Sequence, residues 1–372
     1  MPGQFISHLR LSHFRSHRAT EIFLDGRIVV LCGPNGAGKT NALEAVSLFS
    51  PGRGLRSSSA EEISRRPGEI GWKVSGQLDT PDRKILLETF SRDGSPRRAL
   101  VDGKPSKLAD LALQARILWL TPAMDRIWIE GAAGRRRFVD RISMSFFPEH
   151  ARAAIGYEKA MRERNRLLKD KVSNDGWYDA LERQMALQGV RVARNRRRAV
   201  EKINQAQSDS RTGFPIAELS IDSNCPNCSA VESERDLATA LSECRRRDLA
   251  AGRSLVGPHR ADLETTLKPN QLPAGHCSTG EQKALLVSIV LANARALMRD
   301  LRISPVLLLD EVCAHLDEDR RNDLYEEIMS LELQAWVTGT DSGLFGRLGA
   351  DAQRFSVINE DGNSAIRQCR SS

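Results

Sequence analysis

At 372 residues the chain has room for two or three domains, and with 40% hydrophobic residues it has the apolar content for full cores, which excludes wholesale disorder. A formal charge of +7 and a pI of about 9.2 are compatible with a polyanionic partner, whereas aromatic residues are scarce at 5%, and a platform that stacks unpaired bases favours more. Seven scattered cysteines (32, 225, 228, 244, 277, 313, 369) argue against a disulfide framework. MPGQFISHLRLSHFR lacks an apolar core of signal-peptide length, and the longest apolar run, 284–298, is interrupted by Ser288, Asn293 and Arg295, so a cytoplasmic protein with no membrane span is expected.

Taken in chain order, RIVVLCG (27–33) has the continuous apolar run of a buried strand and ends on glycine. It leads into GPNGAGKT, a complete G-x-x-x-x-G-K-T loop formed by Gly33, Pro34, Asn35, Gly36, Ala37, Gly38, Lys39 and Thr40, and NALEAVSLF follows as a helix. In such a loop successive backbone N–H groups turn inward on phosphate oxygens, and the helix start adds partial positive charge. Lys39 is placed to reach the β- and γ-phosphates and the Thr40 hydroxyl to ligate Mg2+, so the loop predicts ATP and Mg2+ as cofactors. KILLETF (84–90) and RILWL (116–120) are further strand candidates, with a turn at SRDGSPRR (91–98).

From about 133 to 250 the texture becomes helical. Starting at Leu181, the apolar positions Met185, Val192, Ala199 and Ile203 recur near helical spacing, with arginines between them. Residues 135–202 hold 18 Lys and Arg against 9 Asp and Glu, a larger surplus than the whole chain's +7. Such a charge run is either a solvated helix face or a nucleic-acid surface. Its concentration in one zone singles out GRRRFVD and NRRRAV, and so Arg135, Arg136, Arg137, Arg194, Arg196, Arg197 and Arg198, as candidate DNA contacts. A polar, proline-containing loop covers 222–229. Its Cys225-x-x-Cys228 is half of a zinc site with no second pair to match, only Cys244. There is no internal repeat and no low-complexity tract.

From 252 the α/β texture returns. His259-Arg260, after Gly257-Pro258, read either as turn residues or as a DNA or dimer contact. In STGEQKALL (278–286), Ser278 and Glu281 have the spacing of a capping box, and the N–H groups that need a cap also attract a phosphate. SPVLLLDEV (304–312) is a buried strand closing on two acids. Asp310 is placed to hold Mg2+ and Glu311 to polarise an attacking water. HLDEDRR (315–321) follows as a short acidic loop, and QAWVTGTD (334–341) is one more strand.

In this order (phosphate loop, long insertion, polar-capped helix, acidic strand) the chain resembles the ABC-type ATPases. That resemblance implies that Ser278, Thr279, Gly280 and Glu281 act in trans on the γ-phosphate held by a second subunit, and that Asp317 lies near the dimer seam. Thr340-Asp341 stand where the family's switch His is usual, and TPAMD stands where a Gln follows the strand RILWL, so no γ-phosphate sensor is assigned. LRLSHFRSHRATEIFL (9–24), GPNGAGKTNALEAVSLFSPGRGLR (33–56), LWLTPAMDRIWIEGAAGRRRFVDR (118–141), SLVGPHRADLE (254–264) and STGEQKALL together resemble the RecF family of bacterial recombination mediators, with GPHRADL and STGEQKA the most specific parts.

The resemblance implies an α/β fold: an ABC-type ATPase head (a P-loop NTPase), like the heads of SMC proteins but without long arms, with an inserted, mainly helical second lobe. The expected division is 1–132, 133–251 and 252–372. It further implies that Arg15 and Ser16 flank the nucleotide's α-phosphate or sugar. It implies an ATP-dependent homodimer that binds double-stranded DNA and gap junctions, hydrolyses ATP slowly, and acts with RecR and RecO to help load RecA. Two alternatives stay open on the motifs alone: the nucleotide-binding subunit of an ABC transporter, and a non-hydrolysing scaffold shaped by ATP. Cys32, Cys277 and Cys313 adjoin the nucleotide motifs, so alkylation is expected to inhibit and ATP to protect.

Overall fold

The computed structural model describes residues 3–65, 70–92, 94–208, 213–222 and 233–369. Cys225 and Cys228 lie outside these residues. The chain divides into two compact units, one of Met1–Asp125, Asp209–Pro215 and Thr279–Ser372, the other of Arg126–Ser208 and Ile216–Ser278.

The first unit opens with β1 (Phe5–Phe14), β2 (His17–Phe23), β3 (Ile28–Cys32), α1 (Lys39–Ser47) and α2 (Ala60–Ile63). It continues through β4 (Trp72–Asp79), β5 (Lys84–Ser91), β6 (Arg98–Val101), β7 (Lys104–Ser106) and β8 (Ile117–Leu120). The second unit holds α3 (Ala132–Phe146), α4 (His150–Lys169), α5 (Asp175–Ser208), β9 (Ala217–Asp222), α6 (Glu234–Glu243), α7 (Arg245–Ala251), β10 (Asp262–Leu267) and β11 (Leu272–Pro273). The chain then returns to the first unit with α8 (Thr279–Leu301), β12 (Val306–Leu309), α9 (Glu318–Ser330), β13 (Ala335–Gly339), β14 (Ala352–Glu360) and β15 (Asn363–Gln368).

Two sheets build the first unit. One is antiparallel, in the order β2-β1-β4-β5-β6-β7. Alternation sets its faces: Trp72, Val74 and Leu78 of β4 are buried while Lys73 points to solvent. The other runs β15-β14-β3-β13-β12-β8, parallel from β14 through to β8. Its strands β3, β12 and β8 are uninterrupted apolar runs, as expected where both faces are covered; every residue of Val306–Leu309 and Ile117–Leu120 is buried. The strands expected over 27–33, 116–120, 304–312 and 334–341 are β3, β8, β12 and β13. Helix α1 packs against β1 of one sheet and β13 of the other, and its Ala42, Leu43, Ala45 and Val46 join the core shared by both.

In the second unit α5 runs 34 residues, about 50 Å at the helical rise. Its predicted stripe of Met185, Val192, Ala199 and Ile203 is buried. The sequence carries little β signal here, yet β9 and β10 pair antiparallel, with β11 on the far side of β10. The segment SLVGPHRADLE, read with the C-terminal part because of its strand texture, thus pairs its β10 with β9 of the inserted region. The open edge of β9 is covered by side-chain amides of α5. Gln207 bonds both the N–H and C=O of Ala217 (2.7 and 2.6 Å), and Asn204 does the same for Leu219 (3.0 and 2.8 Å). Amides three residues apart on a helix thereby match backbone groups two residues apart on a strand, satisfying an edge that would otherwise invite pairing.

None of the helices among the described residues is long and apolar enough to cross a membrane.

Candidate nucleotide-binding site

The carboxyl end of β3 delivers the phosphate loop. At Gly33 a Cβ would stand 2.1 Å from the Val357 carbonyl oxygen of the neighbouring strand, so no side chain fits. Gly38 has φ of +110°, and a Cβ there would also meet Ser364 Oγ at 2.4 Å. That crowding comes from the loop's support. Ser364 Oγ donates to the Ala37 carbonyl (2.6 Å), and His17 Nε2 donates to the Gly38 carbonyl (3.2 Å). A carbonyl only accepts, so His17 carries its proton on Nε2 and its Nδ1 accepts from Thr20 Oγ1 (2.9 Å). Burial lowers the His17 pKa and keeps the ring neutral.

Lys39 is buried, and its ammonium donates to two carbonyls of its own loop, Gly33 (2.7 Å) and Pro34 (3.0 Å). Thr40 Oγ1 donates to Asp310 Oδ1 at 2.8 Å, joining the phosphate loop to the end of β12. The Thr338 hydroxyl of β13 donates to the same oxygen at 3.0 Å. Burial raises the Asp310 pKa, and these two hydroxyls oppose the rise. Next to it Glu311 adopts a left-handed φ of +52°, and its N–H donates to Thr338 Oγ1 at 2.8 Å. A hydroxyl beside a carboxylate is the hard oxygen pair that suits Mg2+, so Thr40 and Asp310 are the residues that would hold it, where it would neutralise phosphate charge.

Sequence reasoning missed Thr338 because nothing in AWVTGTD marks one threonine above the other. Only the strand order, with β13 between β3 and β12, brings it to the acids.

Arg15, also at positive φ (+53°), turns its guanidinium onto the buried Glu44 of α1 (2.9 and 2.7 Å) and onto the Glu62 carbonyl. Ser16 Oγ accepts from Asn41 Nδ2 (2.7 Å) and shares a hydrogen bond with Ser364 (2.6 Å). Both residues brace α1 and the loop.

Ser278, Thr279 and Gly280, at the start of α8, are exposed, whereas the helix that follows is buried along most of its length. Asp317 caps α9, accepting from the Arg320 N–H (2.8 Å), and the Arg320 guanidinium reaches the Gly280 carbonyl at 3.4 Å. Lys283 of α8 pairs with Asp125, the acid of TPAMD, at 3.5 Å. The side chain of Asp341 caps the turn after β13, accepting from the Gly343 N–H at 2.8 Å. Burial pushes the thiols of Cys32 and Cys313 up, the latter to about 11, and Cys277 is buried, so the chemistry opposes the ready alkylation expected at these positions.

The candidate DNA-contacting arginines separate by helical phase. Arg135 is bidentate on Asp262 (2.8 Å twice), and Arg136 donates to the Ala261 carbonyl (2.9 Å). Arg196 is buried, bidentate on Asp140 (2.7 and 2.9 Å), and reaches the Pro258 carbonyl. Burial would raise the Asp140 carboxyl, but Arg196 and His150 override it and hold the group at about 2. Arg197 is half-buried. Arg137, Arg194 and Arg198 are exposed, Arg198 with its guanidinium 4.6 Å from the Phe147 ring.

The turn after Gly257-Pro258 is held from within. His259 Nε2 donates to the Ser254 carbonyl (3.0 Å), which fixes the tautomer, so the Tyr157 hydroxyl donates to Nδ1 (2.7 Å). Burial pushes His259 down from 6.5 to about 4. The unfolded chain then binds a proton that the fold refuses between those two values. This contribution is fully present above pH 6.5 and falls by up to about 3 kcal/mol as pH drops to 4. Urea denaturation of wild type and His259→Gln across that window should show the smaller loss in the variant.

With β13 lying between the strand of the phosphate loop and the strand of the acidic pair, and with Thr40 bonded to Asp310, fold and site define a P-loop ATPase head of the ABC type. The sequence profile of the RecF/RecN/SMC N terminal domain matches residues 5–361. The chain belongs to this family and, within it, to the RecF proteins. It is 44% identical to a DNA replication and repair protein RecF of Mesorhizobium japonicum over 369 residues, covering 96% of this chain and 97% of that one. The RecF of Brucella suis biovar 1 is 41% identical over 361 residues, covering 95% and 94%. In fold the chain resembles the solved recombination mediator protein RecF-ATP of the RecFOR pathway, with a TM-score of 0.83 at 22% identity over 99% of this chain and 100% of that one. It also resembles the Smc head domain of Pyrococcus furiosus, with a TM-score of 0.57 at 15% identity over 98% and 96%.

Proposed function

We propose that this protein is an ATP-driven DNA clamp of recombinational repair and replication restart, acting in the cytoplasm. Mg-ATP occupies the Gly33–Thr40 loop of each of two copies. Ser278 and Gly280 of one copy close on the γ-phosphate held by the other, with Asp317 at the seam. The closed homodimer presents basic helical surfaces to duplex DNA near single-strand gaps, and slow, DNA-stimulated hydrolysis through Glu311 releases it. RecO and RecR are its partners in loading RecA.

The observation that carries this reading is the junction of Thr40 with Asp310 at 2.8 Å in a chain whose Ser278-Thr279-Gly280 helix start is exposed. The N-terminus of a long helix carries partial positive charge, and here it faces solvent, where a second molecule's phosphate can approach it. Of the basic residues, exposed Arg137, Arg194 and Arg198 are the ones for phosphate contact, and Arg135 and Arg196 serve the fold. Contacts of this kind predict an affinity for duplex that falls steeply with salt.

Light scattering on wild type, Lys39→Met and Ser278→Arg, with and without ATP and duplex DNA, tests the reading. Wild type should double its mass with ATP, and neither variant should. Ser278→Arg should still bind nucleotide, since only the trans contact is lost. A Ser278→Arg protein that dimerises like wild type would overturn the trans arrangement.

A further inference from the structure

Strand β13 separates the two motifs that must act together. Thr338 lies opposite Leu31 of β3, two residues before Gly33, and its neighbour Val337 lies opposite Leu309 of β12, one residue before Asp310. Thr338 is fully buried, so its hydroxyl requires partners, and it has two. Oγ1 accepts the Glu311 N–H at 2.8 Å and donates to Asp310 Oδ1 at 3.0 Å. The direction is fixed, because an amide N–H can only donate and a carboxylate can only accept. Asp310 Oδ1 also receives the Thr40 hydroxyl at 2.8 Å, so a threonine on each side orients the same carboxylate.

Glu311 has more to lose. Its φ of +52° is uncommon for a residue with a side chain and carries a conformational cost that local hydrogen bonds offset. The Thr338 hydroxyl is the acceptor that holds its amide there. One side chain therefore sets both the carboxylate of Asp310 and the backbone turn that aims Glu311.

We infer that Thr338 is a positioning residue for ATP hydrolysis: it acts through Asp310 and Glu311, and its hydroxyl rather than its bulk is the working part. The inference rests on the reading of Glu311 as the group that polarises water.

The test uses the full chain with Thr338→Val (the same shape without the hydroxyl), Thr338→Ser (the hydroxyl without the methyl), Thr338→Ala (neither) and Glu311→Gln as reference. Steady-state ATPase, the Mg2+ concentration for half-maximal rate, and binding of a fluorescent ATP analogue are measured. Loss of the bond should lower kcat about 10–100-fold in Thr338→Val, with KM for ATP and analogue affinity within about threefold of wild type and the Mg2+ requirement raised. Thr338→Ser should return kcat to within about threefold of wild type. If Thr338→Val does not fold, the contrast between Thr338→Ala and Thr338→Ser carries the test. Wild-type kcat in Thr338→Val, or equal kcat in Thr338→Ser and Thr338→Ala, overturns the inference while a Glu311→Gln protein without turnover leaves the role of Glu311 standing. Full turnover in Glu311→Gln overturns both.

Discussion

Glu311→Gln is expected to bind Mg-ATP as wild type does and to stop there. The amide keeps the size of the side chain and the Glu311 N–H bond to Thr338, but it cannot accept a proton from water. A positioned base contributes about 100- to 10,000-fold, so turnover should fall by at least about two orders of magnitude. In the proposed cycle hydrolysis opens the dimer, so on that reading the variant should accumulate as an ATP-bound dimer, read as doubled mass in light scattering that persists after free nucleotide is removed. A Glu311→Gln protein that hydrolyses normally would move the base elsewhere.

Arg164→Met should have the largest effect on stability. Arg164 is fully buried, and its guanidinium donates to Glu182 Oε1 (3.1 and 2.9 Å), Asp248 Oδ2 (2.7 Å), Ser254 Oγ (2.8 Å) and the Leu241 carbonyl (3.1 Å). Every donor direction of the fork is used. Glu182 retains Arg245 when Arg164 is gone, but Asp248 loses its cation in a site closed to water. Stranding a buried charge in this way costs about 3–5 kcal/mol. Asp248 also accepts the Leu255 N–H, and Ser254 is held by Asn165, so the damage should spread to the turn at His259. Urea unfolding followed by far-UV circular dichroism checks the magnitude. Replacing Asp248 together with Arg164 by apolar residues, with the Glu182–Arg245 pair kept, should recover part of the loss, because the cost lies in the unpaired carboxylate.

The phosphate loop and the acidic strand were legible in the sequence because their chemistry is local. GPNGAGKT needs its glycines and lysine at fixed spacing, and VLLLDE needs its apolar run to be buried before the acids emerge. The basic zone was legible only as a sum of charge. In NRRRAV three consecutive arginines look alike, but a helix turns each about 100° from the last. Arg196 therefore faces inward to Asp140, Arg197 is half-buried and Arg198 is exposed. Composition cannot tell a cation that builds the fold from one that meets a ligand. Arg15 shows the same limit, since its acidic partner, Glu44, is 29 residues away in sequence. Strand β9 stayed hidden although AELSID alternates apolar and polar residues, because it is a lone short alternation among long helices and one of its edges is filled by amides of a helix. Thr338 was concealed by topology: its importance follows from which strand lies between which.

The order of the parallel sheet has a bearing on how the protein is made. Strand β3 is complete at Cys32, yet its two neighbours are β13, starting at Ala335, and β14, starting at Ala352. At translation rates of about 5–20 residues per second, roughly 300 intervening residues keep an apolar strand without partners for about 15–60 s while it is still tethered to the ribosome. The inserted unit is synthesised wholly within that interval and can fold first. The nucleotide pocket is thus among the last parts of the molecule to form, and a nascent chain interrupted before β14 would leave the polysome with its most aggregation-prone edges bare.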